Sequence, residues 1–74
     1  MTLATWIDAS QSTSIARFGY EEASNVLWIE YQTGHKYKYL DVPQDVFEQM
    51  KSAPSKGQFV NQNIKDKYDY EEVK

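Results

Sequence analysis

The sequence predicts an α+β fold, a three-stranded antiparallel meander covered on one face by two short helices. Two observations carry this expectation. Apolar and polar residues alternate between about residues 13 and 39, interrupted by the polar stretches "EEASN" and "QTG". Beyond Val42-Pro43 the apolar spacing changes from the two-residue period of a strand to the period of a helix. A chain of 74 residues has room for one domain, and with 41% hydrophobic and 15% aromatic residues it can fill a small core.

The first strand is expected in "TSIARFGY" from Thr13, with Ala16, Phe18 and Tyr20 on one face. The residues before it show no sustained period, so Trp6 and Ile7 have no assigned place. "VLWIEYQ", residues 26–32, is β-branched and aromatic and makes the strongest strand. The turn after it decides which side chains share a face. A two-residue loop would force Thr33 to positive φ, which a β-branched residue resists. A three-residue loop Gln32-Thr33-Gly34 puts Gly34 at the left-handed position instead. In that register Tyr31 faces His35, Ile29 faces Tyr37, and Leu27 faces Tyr39. Tyr37 and Tyr39 then join an apolar face, while Trp28, Glu30, Lys36 and Lys38 occupy the other. A slip of one residue would exchange the two sets.

In "PQDVFEQMKSA" the residues Val46, Phe47, Met50 and Ala53 fall at helical spacing. Asp41 lies near the start, and Pro43 takes a tolerated first-turn position. Pro54 ends that helix. Ser55 and Gln58 form a capping box for a second helix through "GQFVNQNI", with Phe59, Val60 and Ile64 inward. The final "KDKYDYEEVK" is polar, with Tyr68 and Tyr70 as anchors.

Several function classes are unsupported by the residues present. With no cysteine and one histidine, neither a disulfide, a thiolate zinc site nor a histidine cluster is available, and no metal or cofactor is expected. No carboxylate–histidine or Gly-x-Ser-x-Gly pattern accompanies the serines, and the three glycines form no phosphate loop, so no enzyme is expected. The sequence carries no apolar span of membrane length and no leader-like start, which makes cytoplasmic residence the expectation. The net charge of −3 opposes general attraction to nucleic acid. Charge is unevenly spread, however, because residues 34–67 hold six lysines against four acids.

Leu27-x-Ile29-x-Tyr31, Gly34, Tyr37-x-Tyr39 and Val42-Pro43 together resemble the KTSC domain. Ser14-Ile15, Gly19-Tyr20, Ala53-x-Ser55-x-Gly57, Phe59, Asn61, Ile64 and Tyr68 extend the likeness. It divides the chain into an N-terminal segment 1–11, a domain 12–70 and a polar tail 71–74. In this family the domain occurs as a C-terminal appendage of some lysyl-tRNA synthetases and as a small stand-alone protein of bacteria and their phages. The resemblance therefore implies a small binding module, with RNA suggested by the synthetase connection.

The residue pattern offers two surfaces for such a ligand. Trp28 can stack a base, with Lys36, Lys38 and Arg17 beside it to meet phosphates. Its competing reading is packing under the N-terminal segment or in a contact with a protein partner or a second copy. Lys56, Lys65 and Lys67 form a second basic cluster, with Lys56 at the Ser55–Gly57 helix start as an anion site. The competing reading there is a capped helix and a solvated face. Tyr37 and Tyr39 are read as core residues rather than as a stacking platform.

Overall fold

The computed structural model describes residues 5–9 and 14–73, with the side chain of Thr5 excepted. The expected strand start at Thr13, the boundary between residues 11 and 12, and Lys74 lie outside the described residues. Five strands form one antiparallel sheet in the order β1-β2-β3-β4-β5. They are β1 (Thr5–Asp8), β2 (Ile15–Glu21), β3 (Val26–Tyr31), β4 (Lys36–Tyr39) and β5 (Tyr70–Val73). Between β4 and β5 run helix α1 (Gln44–Ser52), the short helix α2 (Lys56–Phe59) and a π-helical turn, Val60–Ile64.

The expected α+β class holds, but the sheet has five strands where three were expected. Both additions are edge strands of four residues. In β1 the run Trp6-Ile7-Asp8 is too short to display a period, and it exists because it pairs with β2. In β5 Tyr70, Glu71 and Glu72 are all exposed, so no apolar face marks the strand. Its order comes from β4: Glu71 lies opposite Lys38, and Leu40 N–H donates to Asp69 O at 2.8 Å.

The hairpin between β3 and β4 adopts the three-residue loop. Leu27 pairs with Tyr39, and Ile29 with Tyr37. Tyr31 N–H donates to His35 O at 2.8 Å, closing the loop, and Gly34 sits at φ 94°. The helices cover the face this register predicts. Phe18, Ile15, Leu27 and Ile29 from the sheet meet Met50, Val60 and Ile64 from the helical side, all at most 1% exposed. Each such side chain stabilises the fold by about 1.5–3 kcal/mol through burial. Tyr20 stacks on Phe47 with ring centroids 5.0 Å apart, and Phe18 meets the same ring edge-on.

One inward position differs from expectation. The register shifts between Ile15 and Arg17, so Ile15, rather than Ala16, enters the core. A bulge turns the larger side chain inward at the cost of one ladder step.

Helix α1 keeps its expected span, with Phe47 and Met50 buried, and Pro43 stands just outside it in extended conformation. Asp41 does not cap it; that residue occupies a left-handed turn at φ 58°. The second helix covers the expected residues but changes winding midway. Ser55 Oγ accepts from Gln58 N–H at 3.3 Å, and Lys65 N–H then reaches back to Val60 O at 2.7 Å, the five-residue step of a π turn. No helix is long and apolar enough to cross a membrane among the described residues.

Candidate nucleic-acid interface

The helices lie on one side of the sheet, so the side chains that alternate away from them form the opposite face. Strand register arranges those side chains in rows. One row runs Trp6, Gly19, Trp28, Lys38, Glu71, and the next runs Asp8, Arg17, Glu30, Lys36, Val73. Gly19 lies between the two tryptophans and has no side chain to separate them. Their rings approach across it to 6.2 Å between centroids, tilted by 55°. Trp6 remains 39% exposed, which leaves part of an indole open to a ligand.

Cations flank both rings. The Arg17 guanidinium carbon lies 4.6 Å from the Trp6 ring centre, and Arg17 Nε donates to Glu30 Oε1 at 2.6 Å. The Lys38 ammonium is 5.9 Å from the Trp28 ring centre and 3.8 Å from a Glu71 carboxylate oxygen. Lys36 has no ion pair among the described residues. Glu30 holds the guanidinium beside Trp6, so the planar cation and the indole stand ready together. The Trp28 indole N–H is buried with no partner among the described residues.

Four residues of the expected site therefore share this face: Arg17, Trp28, Lys36 and Lys38. Trp28 is half-buried and packs against Trp6 of the N-terminal segment, the packing anticipated as its alternative. Trp6 has the larger open surface and was not placed on this face from the sequence, because nothing nearby in sequence fixed its strand. Only the register of β1 against β2 brings it here.

In the second expected group, Lys56 is engaged by the fold itself. Lys56 Nζ donates to the carbonyls of Lys51 and Ala53, at 3.0 and 2.7 Å, and so closes the C-terminal end of α1. That engagement commits two of the three ammonium donors to backbone carbonyls. Lys67 lines a depression with Asp41, Asp66 and Asp69, whose carboxylates oppose phosphate. Lys65 borders a cleft with several tyrosines on the helical side. His35 faces a Glu72 carboxylate oxygen at 3.1 Å, so its ring is held by β5.

The expected core tyrosines divide. Tyr39 is 4% exposed, whereas Tyr37 is half-buried and borders the same cleft. Burial, followed by a hydrogen bond with Tyr31, pushes the Tyr39 phenol well above its ordinary pKa. Tyr37 shifts in the same direction, first through desolvation and then through the Glu72 charge.

The KTSC domain family model matches residues 11–68. A lysine–tRNA ligase from Nostoc punctiforme is 40% identical over 63 residues, which is 85% of this chain and 11% of the ligase. The chain thus spans about a ninth of that relative's length. An uncharacterised protein from Stutzerimonas stutzeri is 33% identical over 60 residues, covering 81% of this chain and 84% of its own. The crystal structure of a KTSC domain protein from Yersinia pestis superposes with a TM-score of 0.89 at 30% identity, over 97% of this chain and 100% of that one.

Proposed function

Because this chain belongs to the KTSC domain family, a family represented also within lysine–tRNA ligases, we propose that it is a non-catalytic module that binds single-stranded RNA. The sheet face opposite the helices carries this reading, through one observation above the rest: Trp6 and Trp28 lie side by side between Arg17 and Lys38. Sheets with exposed aromatics recognise RNA by stacking unpaired bases while basic neighbours meet the backbone. Here a base stacks on the open surface of Trp6, and the strand continues toward Lys36 and Lys38. The name of the ligase relatives, which act with a tRNA, is a second support.

The expected strength is modest. Stacking contributes about 1–3 kcal/mol per base. Arg17, Lys36 and Lys38 are balanced in the same two rows by Asp8, Glu30 and Glu71. Affinity in the range of roughly ten micromolar to millimolar follows. Anisotropy of a labelled short oligouridylate tests the proposal. Wild type should show saturable binding that weakens with added salt, and the Lys36→Glu, Lys38→Glu double variant should lose most of it. Equal binding by wild type and double variant would remove the basic flank from the interface.

The same charge balance favours a second reading, a contact with another protein or with a second copy of this chain. A neutral face centred on an exposed tryptophan suits such a contact. Sedimentation velocity of wild type and Trp6→Ala separates the readings. A mass that falls in the variant, with RNA binding unchanged, supports the protein contact.

A further inference from the structure

On the helical side of the sheet, near the tip of the β3–β4 hairpin, the core gives way to a cleft of about 430 Å³. Tyr31, Tyr37, Tyr39 and Tyr70, drawn from three adjacent strands, form one wall, and Asn61 and Lys65 border it from the helical side. The rings support one another. Tyr37 meets Tyr31 at 5.6 Å and Tyr70 at 5.7 Å, both edge-to-face, and Tyr70 leans over Tyr39 at 5.6 Å. The wall grades from dry to wet, since Tyr39 is 4% exposed and Tyr70 is 58% exposed.

The polar border is not occupied by the fold's own bonds. Neither the Asn61 side-chain amide nor the Lys65 ammonium has a protein partner among the described residues. The π turn sets them there: it contains Asn61, and the bond that closes it is made by the N–H of Lys65. Thr33, His35 and Asp66 complete the rim. His35 is already engaged with Glu72, which leaves Lys65 as the cation available to an anion, with Asp66 the opposing charge beside it.

We propose that this cleft binds a planar heteroaromatic ring bearing a phosphate, the chemistry of a nucleoside monophosphate. The ring lies against Tyr37 and Tyr70, where phenol faces and edges offer stacking. The Asn61 amide, donor and acceptor in one group, meets the polar edge of the ring. The Lys65 ammonium meets the phosphate. The volume falls within the range of about 300–1,000 Å³ usual for small-molecule sites. This site lies on the opposite side of the sheet from the two tryptophans and stands independently of the RNA proposal.

Amide chemical-shift titrations of the full chain with AMP, adenosine and inorganic phosphate test it. AMP should produce saturable shifts at Tyr37, Asn61, Lys65 and Tyr70, and should bind more tightly than adenosine or phosphate alone. Lys65 is exposed, so Lys65→Ala should leave the fold intact; it should weaken AMP about tenfold while sparing adenosine. Tyr70→Ala, on the edge strand, should weaken both nucleosidic ligands. The proposal is overturned by an absence of saturable AMP shifts, by shifts confined to the tryptophan face, or by AMP affinity that Lys65→Ala does not alter. Equal affinities for AMP and adenosine would also overturn it.

Discussion

Tyr20 ties the sheet to the turn before α1 through a single oxygen. Its hydroxyl donates to Val42 O at 2.5 Å and lies 3.1 Å from Asn25 Oδ1, while its ring keeps the stack on Phe47. Tyr20→Phe retains the stack and strands a buried carbonyl, so urea denaturation should show a loss of about 1–2 kcal/mol. A core this small leaves only roughly 3–5 kcal/mol in total, which makes that loss large. Tyr39 makes a pH-dependent contribution. Its raised pKa means that the folded chain holds the phenolic proton while the unfolded chain releases it near the ordinary value of 10.0. Above that pH the unfolded state binds fewer protons than the native one, so stability must fall as pH rises. Denaturant midpoints should be flat with respect to this group from neutral pH to about 9 and decline beyond 10, with a smaller decline in Tyr39→Phe. An identical alkaline decline in that variant would assign the effect elsewhere.

At the level of elements, the sheet is ordered from its middle outward. β2, β3 and β4 each have a strand on both sides, whereas β1 and β5 are edges. Hydrogen exchange should therefore be slowest in β2 and β3 and fastest in β1 and β5, with local opening at the edges preceding global unfolding. Equal protection in β5 and β3 would contradict this. The same difference explains what the sequence disclosed. Gly34 is the residue in its loop that takes a left-handed conformation without strain, so the parity of β3 and β4, and with it the placing of Leu27, Ile29 and Tyr39 inside, was readable locally. Proline and serine around residue 54 likewise marked the break between helices. The edge strands were not readable, because Glu71 and Glu72 are ordered by Lys38 and His35, far away in sequence. The inward turn of Ile15 and the π turn at Val60 depend on packing across the core. No local preference marks either.

For the molecule as a whole, the consequence is two faces of different character. Tyrosines gather toward the helices and line a cleft, while both tryptophans of the chain lie on the face opposite the helices. The candidate site was therefore legible in part. Arg17, Trp28, Lys36 and Lys38 came from hairpin parity and strand alternation. Trp6 required the pairing of β1 with β2, and the engagement of Lys56 with carbonyls at the end of α1 required the structure of the helix ends. Tryptophan emission is consequently a reporter of that face alone. The decisive measurement for RNA binding at this face is titration of the unlabelled wild-type chain with a short single-stranded RNA, followed by that emission across a range of salt. If all three cations of the face meet phosphates, binding should give a saturable change whose logarithmic affinity falls with logarithmic salt at a slope of about −2. RNA binding that leaves the emission untouched, or emission that no RNA alters even at low salt, would contradict it.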